Sequence, residues 1–151
     1  MDFQKIDKEL LQTMPLPDWG DEANKSTRGK LLIIGGSVRI VGAVILAARA
    51  ALRSGCGSVR VAAPQSVALH IGINVPELFI IPLPETADGT IAKSALELLK
   101  PQFEACQAIV LGPGLDENTE TDELSCEIIE SASLPMVIDA QALTALGKNP
   151  K

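Results

Sequence analysis

The sequence predicts an α/β protein of three layers: a mainly parallel, doubly wound sheet with helices on both faces. Three observations carry that expectation. Short apolar runs at 31–34, 59–63, 78–81, 108–111 and 136–138 lack polar alternation and are bounded by turn residues, as strands buried on both faces are. Segments of helical periodicity lie between them, and alternating β and α units imply right-handed crossovers. Apolar residues make up 46% of the chain but aromatics only 3%, so the core is built from Leu, Ile, Val and Ala, which suits such a sheet.

The elements follow in order. The stretch "DKELLQTMPLPDWGDEANKSTRG" begins as a short amphipathic helix and ends in a Pro/Gly-rich loop, which sets residues 1–29 apart as a lead-in. After the first strand, Val41, Ile45, Ala48 and Leu52 share one helical face across 41–54. Val44, Ala47 and Ala51 widen that face, and Arg49 and Arg53 form a polar edge. Gly55 sits where a helix is usually stopped. A second helix is expected over 91–99, ending near Pro101, which cannot continue one. A third spans 118–131, with Leu124, Ile128 and Ala132 inward and its acids outward. No internal repeat, low-complexity tract or linker divides 1–151, so one domain is expected.

Charge and cysteine usage exclude several functions. A net charge of −6 argues against nucleic acid, which demands a basic footprint. Residues 1–100 carry 11 basic and 10 acidic side chains, residues 101–151 carry 2 and 9, and most of that excess lies between Asp116 and Glu130. A solvated helix face explains it. Cys56, Cys106 and Cys126 are widely spaced and, with the single His70, match no disulfide framework or zinc spacing. Thiols of this kind suggest a reducing cytosol. The N-terminus lacks a signal-peptide apolar core. The longest apolar run, 40–48, falls well short of the ~20 residues of a membrane span.

The first strand runs into Gly35-Gly36-Ser37. Gly42 comes too late for a dinucleotide fingerprint, and the second strand ends Ala62-Ala63-Pro64, where a ribose-binding acid is wanted. Nor does Gly-Lys-Ser/Thr, the mark of a phosphate-binding loop, follow the glycines. What remains is a backbone platform at a strand's carboxyl end, where open α/β sheets bind ligands. Gly112 and Gly114, around Pro113, form a second platform after the 108–111 strand, and Asp139 tips the last strand. Each has a plain structural explanation: tight strand-to-helix packing for Gly35 and Gly36, and capping of a helix over 140–146 for Asp139. Three such strand ends in one chain favour a ligand site.

These motifs in series, "LLIIGGS", "VGAVILAARAALRSGCGSVRVAAP", Pro76-Glu77, "AIVLGPGL" and "VIDAQAL", resemble the ADP/ATP-dependent NAD(P)H-hydrate dehydratases of the ribokinase-like superfamily. The resemblance covers residues 24–147 in the family's order. It implies repair of hydrated NADH or NADPH, with ADP or ATP as co-substrate and Mg2+ in attendance. In that chemistry the ring hydroxyl is phosphorylated and leaves as phosphate, a far better leaving group than hydroxide, while the protein supplies positioning and an anion-stabilising platform. Carried over by motif, Ala43 lies against the nicotinamide hydrate and Gly114 brings its backbone to the same ligand. Gly35, Gly36, Ser37 and Gly112 shape the floor, and Asp139 is a polar group at the pocket's edge.

The family's later motifs, His-Pro-Gly-Glu and a Gly-Thr-Gly-Asp whose Asp is the base, do not occur here, so no catalytic residue is assigned. The one Gly-Asp, Gly20-Asp21, lies in the lead-in loop without a preceding glycine turn. Asn24 stands where the family often has His, Asp116 where it usually has Gly, and Gln141 where it has Asp. The expectation is therefore the amino-terminal, substrate-side half of such a domain, paired with its missing half or self-associated through an exposed sheet edge. A ribokinase-like carbohydrate kinase relative and a non-catalytic nucleotide- or partner-binding domain stand beside it as alternatives.

Overall fold

The computed structural model describes residues 5–14, 20, 23–25 and 27–148. A short helix α1 (Lys8–Gln12) is capped by Asp7, whose carboxylate accepts from the Leu10 N–H at 3.0 Å. Asp21 and Ser26, in the lead-in loop, lie outside the described residues.

Five strands follow: β1 (Lys30–Ile34), β2 (Ser58–Pro64), β3 (Phe79–Leu83), β4 (Ala108–Leu111) and β5 (Met136–Ile138). Every pairing is parallel, and the order across the sheet is β3-β2-β1-β4-β5. The direction of winding thus reverses between β1 and β4, the topological switch point of an open sheet.

The lack of polar alternation has its physical reason in the two apolar layers. In β1, Leu32 and Ile34 enter one core while Ile33 enters the other, and all three are fully buried. Val59, Val61 and Ala63 of β2 face Ile33's side, and Ala62 the opposite one. Helices α2 (Gly42–Arg53) and α3 (Gln65–Asn74) cover the first face; α4 (Leu96–Ala105), α5 (Thr119–Ser131) and α6 (Ala140–Lys148) cover the second. In α2, Val44 and Ala48 are buried and Val41, Ile45, Ala47, Ala51 and Leu52 pack around them, the expected face. Gly55 stops this helix at φ +90°, with its N–H on the Leu52 carbonyl at 3.1 Å and the Cys56 N–H on Ala51 at 3.2 Å. That bond pair is the Schellman arrangement.

Two expectations need correction. The helix foreseen over 91–99 begins later, as a 3-10 turn Lys93–Ala95 leading into α4, which continues through Pro101 to Ala105. Pro101 removes one backbone bond, but buried Leu99 and core-packed Phe103 lie a turn apart and hold the helix on the sheet. Helix α3 was not foreseen at all. Val67, Ala68 and Ile71 are buried, yet Leu69 and Ile73 are exposed, so no single apolar stripe marks it. Its N-terminus is capped from a distance: the Ser66 N–H donates to Glu85 Oε2 at 3.1 Å.

Candidate functional site

The carboxyl ends of β1, β4 and β5 lie side by side, which brings Gly35, Gly112 and Asp139 to one edge of the sheet. The Gly112 N–H donates to the Ile34 carbonyl at 3.0 Å, the Gly36 N–H to Pro113 at 2.8 Å, and the Asp139 N–H to Leu111 at 2.9 Å. The two glycine turns are therefore bonded to each other across the switch point, as shared membership of one pocket requires.

Packing explains most of these glycines. A Cβ on Gly35 would collide with the Pro113 carbonyl, one on Gly112 with the Asp139 carbonyl, and one on Gly114 with the Ile40 carbonyl. Gly36, Gly112 and Gly114 also have positive φ, at +85°, +119° and +72°. With Ser37, all of these residues are buried. The Ser37 hydroxyl accepts from the Ile40 N–H at 3.1 Å and so holds the β1–α2 loop in place. Gly42 differs. It is exposed, and a Cβ there would meet nothing within 4 Å, so no protein atom requires a glycine at this position. Half-buried Ala43 is next to it, and its Cβ lies 3.4 Å from where one on Gly114 would be.

Asp139 does not behave as a capping residue. Its side chain is exposed, and among the described residues it accepts no hydrogen bond and forms no ion pair. Ala140 follows at φ +47°, a left-handed conformation that costs an L-residue about 1–2 kcal/mol. Strain of this kind collects at functional sites.

Two further loops close on the same edge. The Val38 N–H donates to the Gly89 carbonyl at 3.0 Å, and Asn118 Nδ2 to Asp88 Oδ2 at 3.1 Å. The segment 85–91 is secured from within by hydroxyls. Thr121 Oγ1 donates to the Ile91 carbonyl at 3.0 Å, so it must accept from Thr90 at 2.8 Å, and Thr90 in turn from Thr86 at 3.0 Å. Between the β1–α2 and β4–α5 loops, Arg39 Nε pairs with Asp116 Oδ2 at 2.9 Å. Sequence reasoning assigned no role to Gly42, Arg39 or Asp116. The signal for the last two was the departure from the usual glycine at 116, which pairs with an arginine 77 positions earlier.

The other departures are structural. Gln141 Nε2 donates to Asp122 Oδ1 at 2.7 Å and ties α6 to α5; an Asp in its place would face another carboxylate. Asn24 and Thr27 cap each other, and Gly57 packs on the Lys25 carbonyl just before β2 begins. That puts position 24 at the amino end of the sheet, opposite the glycine turns. Glu77 lines a cleft of about 400 Å³ there with Lys25, Lys30 and Ser58. A second cleft of about 390 Å³ lies between α5 and α6. Neither touches the glycine turns.

The acids of α5 are largely answered by lysines. Lys93 reaches Glu123 at 2.8 Å and Glu127 at 3.1 Å, and Lys148 reaches Glu117 and Asp122, each at 3.1 Å. These hydrogen bonds raise both lysines above their usual range. Among the described residues, no group of three His, Cys, Asp or Glu side chains is placed to hold a metal ion, and no helix is long and apolar enough to cross a membrane.

An all-parallel sheet with a glycine-lined switch point and helices on both faces defines a doubly wound α/β protein of ribokinase-like architecture. A ribokinase-like superfamily protein from Enterococcus faecalis superposes with a TM-score of 0.78 at 20% identity, covering 97% of this chain and 48% of that one. The chain belongs to the NAD(P)H-hydrate dehydratase family, whose model matches residues 31–151. The ADP-dependent (S)-NAD(P)H-hydrate dehydratase of Xanthomonas campestris is 39% identical over 134 residues, 89% of this chain and 45% of that enzyme. A bifunctional NAD(P)H-hydrate repair enzyme of Thermofilum pendens is 31% identical over 148 residues, 98% of this chain and 28% of its own length. The ADP/ATP-dependent NAD(P)H-hydrate dehydratase of Bacillus subtilis, co-crystallised with ATP/Mg2+, matches with a TM-score of 0.64 at 28% identity, covering 85% of this chain and 43% of that one. The chain thus spans less than half the length of each of these proteins.

Proposed function

We propose that this chain provides the substrate-side wall of a site that dehydrates hydrated NADH or NADPH, with ADP or ATP as phosphoryl donor. The observation that carries the reading is the packing of Gly114 against Ala43 and Gly36 at the β1/β4 switch point, within a chain of the dehydratase family. Half-buried Ala43 and open Gly42 offer a flat patch of small residues on which a nicotinamide ring can lie. Gly35, Gly36, Ser37, Gly112 and Gly114 form the floor beneath it, and Asp139 is the polar group at the rim.

The chemistry assigns this wall a positioning role. The nucleotide loses a phosphoryl group to the ring hydroxyl, the C–O bond then breaks, and phosphate departs as the ring gives up a proton to regain its double bond. Holding the ring against a preorganised surface is the protein's main contribution here. A Mg2+ ion would accompany the nucleotide phosphates, and no step is assigned to a metal site built from this chain's own residues. The region of the relatives that this chain does not span supplies the base and the nucleotide wall, from a longer chain or a partner. The setting is the cytoplasm.

The test is dehydration of (6S)-NADH hydrate with ADP or ATP, followed by recovery of reduced-nicotinamide absorbance. It is run on the chain alone and with the remaining part of a full-length relative added. Activity in the second arm supports the reading. Binding of neither substrate nor nucleotide in either arm overturns it, in favour of a partner-binding domain.

A further inference from the structure

We propose that Arg39 grips the nicotinamide-side phosphate of the substrate, and that Asp116 holds the guanidinium ready for it. The inference rests on the site reading above. The backbone around Arg39 is fixed on both sides: the Val38 N–H is bonded to Gly89, and the Ile40 N–H to both the carbonyl and the hydroxyl of Ser37. Ile40 is also the residue whose carbonyl packs on Gly114. Arg39 therefore starts from a defined point beside the floor, four residues before Ala43.

Its side chain is 68% exposed, and in its ion pair Nε lies 2.9 Å from Asp116 Oδ2. Asp116 is itself oriented, because its Oδ1 accepts from the Glu117 N–H at 3.0 Å. Nη1 and Nη2 have no partner among the described residues. A carboxylate at the Nε side leaves the outer Nη1/Nη2 fork of the guanidinium presented, which is the edge that takes two phosphate oxygens at once. The rim otherwise carries acids, Asp88, Asp116, Glu117 and Asp139. A dinucleotide arriving there with its phosphates needs a cation, and Lys148 is already divided between Glu117 and Asp122.

A latch between two loops is the competing role, and the two are separable because R39Q and D116N break the same ion pair. Binding of NADH hydrate and of the hydrate of reduced nicotinamide mononucleotide is measured by calorimetry against salt concentration, with melting temperatures for each variant. R39Q is expected to weaken both ligands on the order of tenfold and to flatten the salt dependence. D116N is expected to melt like R39Q yet to weaken both ligands clearly less than R39Q does, because it loses the positioning of Arg39 and keeps the cation. Equal weakening by the two variants, or an unchanged salt dependence in R39Q, would overturn the phosphate role in favour of the latch. If R39Q weakens the dinucleotide alone, Arg39 does not reach the nicotinamide-side phosphate and the proposal fails. If wild type binds neither ligand, with or without the remaining part of the domain, the site reading fails together with this one.

Discussion

Gly114→Ala tests whether the glycine turns are fixed by packing against each other. Gly114 sits at φ +72°, and a Cβ there would collide with the Ile40 carbonyl while lying 3.4 Å from both Ala43 Cβ and Gly36 Cα. The left-handed backbone costs an alanine about 1–2 kcal/mol, and the stiffer unfolded chain returns about 0.4–1 kcal/mol. Pushing the Ile40 loop off its seat costs about 1–3 kcal/mol, by analogy with overpacking. Together these give a loss of roughly 1–4.5 kcal/mol, or roughly 2–18 °C in Tm for a chain of this size. The assay is thermal and urea unfolding beside a Gly42→Ala control. Gly42 lies at the start of α2 with open space around its Cβ position, so alanine there is expected to be neutral or stabilising by up to about 1 kcal/mol. A Gly114→Ala variant that melts like wild type would refute the packing argument, and Gly114 would then be a glycine for the ligand's sake.

Ala43→Leu places most of its new atoms on the open side of a half-buried residue, so Tm is expected to shift by no more than about 4 °C. Affinity for NADH hydrate is expected to fall at least about tenfold; lost stability with unchanged binding would return Ala43 to the core. Ala140→Gly removes the left-handed strain at φ +47° and is expected to stabilise by about 1 kcal/mol, read from urea midpoints. Among the three cysteines, Cys106 is buried and burial raises its pKa above the usual thiol value. It is expected to react with a thiol reagent only on unfolding, after Cys56 and Cys126. Because the unfolded chain ionises this thiol first, its contribution to stability is constant below the ordinary thiol value of 9.0 and falls as pH rises past it. Unfolding midpoints measured between neutral pH and pH 10 check the sign.

The sequence by itself determined the strands, because strands buried on both faces must be apolar throughout; all five runs are found within two residues of their expected ends. It also determined Gly55 as a helix stop and the two glycine turns as neighbours, since local backbone geometry and right-handed crossovers leave little choice. The identity of the family was legible in the motifs as well. What only the tertiary structure decided depends on contacts between distant residues. Helix α3 is capped by Glu85, 19 positions away, and both of its exposed apolar residues hide its periodicity. Pro101 stays inside α4 because Leu99 and Phe103 hold the helix on the sheet from both sides of it. Arg39 meets Asp116 only once β1 and β4 lie side by side. Whether a given glycine is there for the fold or for a ligand is likewise invisible in sequence. That depends on what stands where its Cβ would be: protein backbone at Gly35, Gly112 and Gly114, and open space at Gly42.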